Sequence, residues 1–282
     1  MIKAVVFDFD GVIIESASIK TSAFRKLFEL EYPEKADEIV SYHLKNMGIS
    51  RYIKFRFICK SILKIPLSEG QEKLLGEKFS EIVFDEILKA PFVPGALEFL
   101  NENYRNFDLF VASGTPFLEL LEIIKRRKLN HYFKEIYGSP ETKDGIILEI
   151  LNKYGYARSE MVFIGDAESD RMATQKNKIN FIARITEENL SQLSDCGCKI
   201  NDLHNLPMVL DKISKEKLQP ISMFRMMRTD HPVPNFIMRV IYVSFSILVL
   251  LLYSIVVVIE YSHSGKVARG LKKIRTELAR QK

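Results

Sequence analysis

Residues 3–10 read Lys-Ala-Val-Val-Phe-Asp-Phe-Asp, an apolar run that ends in two acids and is followed by Gly11. A strand with one wet face alternates apolar and polar residues. This one does not, so it is expected to be buried on both faces at the centre of a parallel sheet. Such a strand needs helices packed on both sides, and this requirement shapes the rest of the chain. Further strands are predicted at 107–112, 161–164 and 179–183, with helical patterns at 117–128, 143–153 and 169–177 between them. The alternation predicts an α/β fold with a doubly wound parallel sheet.

Residues 16–88 interrupt this rhythm. Phe24, Leu27 and Phe28 recur at helical spacing, as do Ile53, Phe57, Ile58 and Ile62, and Phe79, Ile82, Val83 and Ile87. The expectation is a helical domain inserted after the first strand, with a core built from 1–15 and 89–215. The turn 91–95, Pro-Phe-Val-Pro-Gly, marks the return to the core, ahead of a helix over 96–101. Residues 216–239 read as a linker. Residues 240–259 hold no charge, Pro or Gly, and 20 residues of helix span a hydrocarbon layer of ~30 Å. A transmembrane helix is expected there, with a basic amphipathic tail over 260–282.

That tail carries seven basic and two acidic residues, and the remaining 259 residues balance, so the net charge of +5 belongs to the tail. The body gives no reason to expect nucleic-acid binding. Val267, Leu271, Ile274 and Leu278 line one face of the tail, which suits an anionic membrane surface or a partner protein. Three cysteines are too few for a disulfide framework, and the Cys196-Gly197-Cys198 spacing matches no common zinc site. Three arginines precede the span within 220–239 and seven basic residues follow it, so the positive-inside rule favours a cytoplasmic tail. The first apolar run, however, is short and ends in Asp-Phe-Asp-Gly, unlike a signal peptide. The expectation is a single-pass protein with its catalytic part in the cytoplasm. Self-association stays open.

Asp8 and Asp10 lie two apart at the end of the first strand and share a face. Alone they read as two turn acids. Ser113 and Gly114 follow the predicted strand 109–112, and Lys143 opens a helix after Gly138-Ser139-Pro140. Gly165-Asp166 closes strand 161–164, with Asp170 four residues on. Each juncture falls at the edge where ligands bind in open α/β sheets.

From residue 1 to about 213 the chain closely resembles the haloacid dehalogenase superfamily. The resemblance rests on Asp8-Phe-Asp10-Gly11-Val12, Ser113-Gly114-Thr115, Lys143, and Gly165-Asp166-Ala-Glu-Ser-Asp170. Its branch is that of the phosphoglycolate phosphatases and β-phosphoglucomutases, which carry a small helical cap after the first motif. The resemblance implies a Mg2+-dependent phosphomonoesterase acting on a small phosphorylated metabolite. Asp8 would be the nucleophile, forming an aspartyl-phosphate, and Asp10 the acid/base. Asp8, the backbone carbonyl of Asp10, Asp166 and Asp170 would hold or orient the ion. Lys143, Ser113, Gly114 and the Gly11 turn would steady the phosphate. An Asp at position 10 implies phosphate-ester chemistry.

Gly48-Ile-Ser-Arg51 resembles the cap loop of the mutases. Arg51 then either grips a second anionic group or merely opens a helix behind a Ser50 cap. Lys20 stands where those mutases carry His, which favours hydrolysis. Lys20, Arg51, Lys54 and Arg56 suggest an anionic substrate or a solvated face, and Tyr42 and His43 either line the pocket or are structural. Two other readings are a phosphosugar mutase and a non-catalytic membrane scaffold.

Overall fold

A computed structural model describes residues 1–218, the compact unit that holds every predicted site residue. The predicted span 240–259, the basic tail and all but the first residues of the linker lie outside the described residues. Among the described residues, no helix is long and apolar enough to cross a membrane. The first part of the predicted linker is not irregular: the helix that begins at Leu206 runs on to Leu218.

The apolar run forms β1 (Ala4–Phe7), buried along its whole length. Four helices follow: α1 (Ala17–Phe28), α2 (Ala36–Lys45), α3 (Arg51–Phe57) and α4 (Glu69–Lys89). The core then continues through α5 (Ala96–Asn103), β2 (Asp108–Pro116), α6 (Phe117–Arg126), β3 (Glu135–Ser139), α7 (Lys143–Tyr154) and β4 (Met161–Gly165). It closes with α8 (Glu168–Asn177), β5 (Asn180–Arg184), α9 (Leu190–Leu193), β6 (Lys199–Ile200) and α10 (Leu206–Leu218). All strand pairs are parallel, in the order β3-β2-β1-β4-β5-β6. The order reverses at β1, so the crevice beyond the carboxyl ends of β1, β2 and β4 is the expected ligand position.

The two faces of β1 feed two cores. Val5 and Phe7 join the larger cluster with α5 and α6, while Ala4 and Val6 pack with Ile146, Ile147 and Ile150 of α7. β3 and β6 escape the sequence reading for a physical reason. Each lies at a sheet edge with one neighbour; β3 is only partly buried and β6 has two residues, so neither carries a long apolar run.

The helices between β1 and β2 match the helical patterns of 16–88, with one correction. Ile53 and Phe57, expected in the apolar stripe, are exposed. α3 instead buries Arg51, Lys54 and Phe55, and Ile58 continues that face in the following turn. Phe57 lies flat on Tyr42, with ring centroids 4.1 Å apart and planes 7° from parallel. The inward face carries two cations because partners wait there: Glu119 for Arg51 and His43 for Lys54. Hydrophobic periodicity cannot anticipate buried polar pairings of this kind.

Candidate active site

Asp8 leaves β1 with its backbone N–H donated to the carbonyl of Ile164 in β4 (2.9 Å), which locks the first and fourth motifs side by side. Its side chain is buried and accepts the Phe9 N–H at 2.6 Å. The next residues turn sharply. Gly11 adopts φ +74°, and a Cβ there would sit 2.1 Å from Asp166 Oδ2, so only glycine lets the loop lie against that carboxylate. Arg184 at the end of β5 braces the turn by donating to the Gly11 carbonyl (2.9 Å) while paired with Glu15 at 2.5 Å.

Ser113 and Thr115 are not in a turn after β2, as expected, but inside its extended end, which runs to Pro116 with a register shift after Ala112. Both are buried and both face Asp10. Thr115 Oγ1 donates to Asp10 Oδ2 at 2.9 Å, and Ser113 Oγ at 3.3 Å. Ser113 Oγ also accepts the Thr115 N–H. Gly114 packs where a Cβ would meet the Gly48 carbonyl at 2.6 Å, bringing the loop before α3 onto the strand end.

Lys143, the first residue of α7, donates to Asp8 Oδ2 at 2.6 Å and also to Asp170. The other Asp170 oxygen accepts the Ala167 N–H at 3.1 Å. One oxygen from each of Asp8, Asp166 and Asp170 can be chosen so that all lie within 4.8 Å of one another. Asp166 differs from the other two. Its carboxylate is buried, yet no described residue donates a hydrogen bond to it; its backbone carbonyl is held by Asn189 at 2.8 Å. A buried carboxylate without a donor, beside two others, suits a hard divalent cation such as Mg2+. Asp10 contributes no side chain to this cluster.

The charges follow from this layout. Burial pushes the Asp8 carboxyl up to about 7, with Asp170 and Asp10 adding to it against the pull of Lys143. Burial and the neighbouring Asp8 and Asp170 push Asp166 well above the usual range. Burial also raises Asp170, outweighing Lys143. Burial acts against the Lys143 ammonium, but Asp170 and Asp8 prevail and hold it above its ordinary value. Asp10 goes the other way. Burial would raise it, yet Lys20, with hydrogen bonds from Ser16 and Thr115, holds its carboxyl below the usual value. Two carboxylates two residues apart are thus set for different duties.

Lys20 is the residue that sequence reasoning placed but did not assign. Its Nζ lies 2.5 Å from Asp10 Oδ2 and 2.7 Å from Thr115 Oγ1. Ser16, which donates to Asp10 at 2.7 Å, and Arg184 carried no readable signal, since a lone Ser and a strand-end Arg are common. Arg51 lines the same cavity, but its fork is engaged by Glu119 at 2.6 and 3.0 Å and by Ser80 at 2.8 Å. It does begin α3, though Ser50 makes no side-chain cap bond. Arg56 faces solvent and pairs with Glu72 at 2.6 Å. His43 lines the cavity, whereas Tyr42 stacks on Phe57.

The cavity between the helical segment and the strand ends holds about 50 Å3 and is lined by Asp8, Asp10 and Asp166 together with Lys20, Lys54 and His43. Anionic nucleophile, acid/base, oxygen-donor cluster and cations thus meet in one space.

A family model described as haloacid dehalogenase-like hydrolase matches residues 5–184. The chain is 27% identical over 174 residues to a phosphorylated carbohydrates phosphatase of Thermotoga maritima, covering 59% of this chain and 77% of that protein. It is 24% identical over 183 residues to a phosphoglycolate phosphatase of Aliivibrio fischeri, covering 62% and 80%. Among solved structures, a β-phosphoglucomutase from Clostridium difficile superposes with a TM-score of 0.62 at 18% identity, covering 78% of this chain and all of that one. At that identity the likeness speaks for the fold.

Proposed function

The chain belongs to the haloacid dehalogenase-like hydrolase family, in the branch of the phosphoglycolate phosphatases and β-phosphoglucomutases, and on that basis we propose that it is a Mg2+-dependent phosphomonoesterase for a small phosphorylated metabolite. Phosphorylated carbohydrates are the substrate class that one relative's name suggests. The observation that carries the reading is the pairing of Asp8, held at a strand end by Lys143, with Asp10, held two residues on by Lys20.

Asp8 is the nucleophile. Lys143 keeps its Oδ2 in place and offsets charge on the transferring phosphoryl group. Asp8, Asp166 and the Asp10 backbone carbonyl would hold Mg2+, with Asp170 orienting them; the ion would offset the repulsion between the phosphate and the attacking carboxylate. Asp10, ionised beside Lys20, is suited to take the proton of the hydrolytic water. As an acid toward the leaving oxygen it must first be protonated, which requires the contact with Lys20 to open. Ser113 and the Gly114 N–H, at the end of β2 beside Asp10, would donate to the phosphate oxygens. Helices α1 to α4, within 16–88, act as the cap that closes over the site.

A mutase reading draws on the β-phosphoglucomutase likeness, but Lys20 on Asp10 leaves hydrolysis the better account. The membrane tether, through 240–259 with the basic tail, is part of this proposal and rests on the sequence of that segment. The test is phosphate release from a panel of phosphomonoesters and from p-nitrophenyl phosphate. Activity should need Mg2+, disappear with EDTA, and be lost in Asp8→Asn and in Asp10→Asn with folding intact. Full activity in either folded variant refutes the assignment. Isomerisation of a hexose 1-phosphate without phosphate release makes the enzyme a mutase.

A further inference from the structure

The outward face of α3 is accounted for neither by the core nor by the catalytic cavity. The helix continues through a wider turn, Ile58–Leu63, and ends at Lys64. Its inward side is Arg51, Lys54, Phe55, Ile58, Cys59 and Ile62. Its outward side is Ile53, Arg56, Phe57, Lys60 and Lys64, all exposed. Ile53 and Phe57 are large apolar residues one turn apart, 45% and 42% exposed. Phe57 is held in place by Tyr42, whose ring lies flat against it.

The charge on this face is basic. Arg56 is paired with Glu72. Lys60 and Lys64 have no carboxylate partner among the described residues. With Arg56 they border a surface pocket of about 480 Å3 whose other walls are Ile65, Pro66 and Leu67.

A single exposed apolar side chain is ordinary. Here two stand in successive turns, and lysines without counter-ions follow along the same face. The result is an apolar strip with a basic rim. A partner that is acidic and nothing more would need only the lysines. A lipid interface uses both parts. Phe and Ile enter the boundary between headgroups and acyl chains, while the long lysine stems let the ammonium groups reach anionic headgroups. We propose that this face, with Ile53, Phe57, Lys60 and Lys64, docks on an anionic lipid bilayer. The inference is separate from the hydrolase reading but draws its strength from the proposed tether, because each lysine adds only about fivefold to the docked state. Residues 219–239 separate the described residues from the expected span, a reach of at most about 75 Å. Such a tether gives the face a high local concentration of lipid surface.

The chain contains no tryptophan, so Phe57→Trp places a single indole in the face. The full-length variant is reconstituted with vesicles of phosphatidylcholine alone or mixed with phosphatidylserine. Each is also made with brominated acyl chains, which quench an indole that enters the bilayer. Leu118→Trp, at a position of α6 that is 78% exposed, is the comparison. The expected result is a blue-shifted and quenched indole at position 57 with phosphatidylserine, much weaker quenching with phosphatidylcholine alone, and none at position 118. Adding Lys60→Gln/Lys64→Gln to Phe57→Trp should shift the docking equilibrium by about 25-fold and bring quenching toward the phosphatidylcholine level. Both lysines are exposed, so thermal unfolding should not change. A chain that floats with phosphatidylserine vesicles while the indole at position 57 stays unquenched overturns the docking proposal and leaves the tether standing. Equal quenching at positions 57 and 118, or quenching that the lysine substitutions leave unchanged, also overturns it. So does a blue shift without quenching, which marks a protein contact such as a second copy in place of lipid. A chain that floats with neither kind of vesicle overturns the tether and this proposal together. None of these results bears on phosphate release.

Discussion

Lys143→Met should unfold the metal-free protein at a much lower temperature. Lys143 is buried and is the cation that directly contacts both Asp8 and Asp170, themselves 2% and 0% exposed. Removing it leaves Asp8, Asp166 and Asp170 within one small space without that charge. Breaking a buried ion pair from one side costs ~3–5 kcal/mol. Asp8, its folded carboxyl already at about 7, is partly protonated before the substitution, so the loss falls mainly on Asp170. For a chain of this size ~3–5 kcal/mol is a fall in Tm of roughly 6–20 °C. The assay is thermal unfolding in EDTA at pH 7. A carboxyl of ordinary pKa 3.8 binds a proton at a cost of about 4 kcal/mol at pH 7 but only about 1.6 kcal/mol at pH 5, so the deficit should shrink as pH falls. The sign follows because carboxyls whose folded pKa is raised lose stability as pH rises through that value. Adding Asp170→Asn should recover part of the loss. A change in Tm under about 2 °C in EDTA at pH 7 would refute the idea that Lys143 balances the acidic cluster.

His43 gives a cleaner pH test. Its pKa is held at about 2 when folded against 6.5 as the ordinary value, so between these the unfolded chain binds a proton that the folded one refuses. Stability attributable to His43 is present above 6.5 and is lost as pH falls toward 2, at about 1.4 kcal/mol per pH unit in mid-window. In His43→Gln, which can still accept from Lys54, denaturant titrations should show a shallower fall between pH 6 and 4; an unchanged slope counts against a buried neutral His43. The proposed tether predicts that the full chain stays with membranes through alkaline carbonate extraction, with the tail shielded from protease in sealed vesicles. Release by carbonate, or digestion of tail and catalytic part from the same side, would exclude a single crossing.

The strand 3–10 announced a doubly wound parallel sheet because burial on both faces leaves an unbroken apolar run, and Ala4–Phe7 is indeed the central strand. Asp8, Lys143 and Asp166 were legible for a related reason: each sits where a regular element begins or ends, and such ends are marked in sequence, with Ser113 inside the last residues of β2 and Asp170 in the first turn of α8. The edge strands β3 and β6 were not legible, since one-sided pairing demands no apolar run. Nor was the inward face of α3, where Ile53 and Phe57 turn outward while Arg51 and Lys54 are buried.

The sequence by itself therefore determined the layer order, the strand ends and the chemical types gathered at them, because these depend on local periodicity and on spacing along the chain. Only the tertiary structure decided which charges meet. Lys20 is 10 residues from Asp10, Lys143 is 135 from Asp8, and Arg51 is 68 from Glu119. Pairings at such separations are set by how helices dock on a sheet, and no local pattern encodes them. They left Asp10 beside Lys20, Arg51 occupied by Glu119, and Lys54 held by the neutral His43.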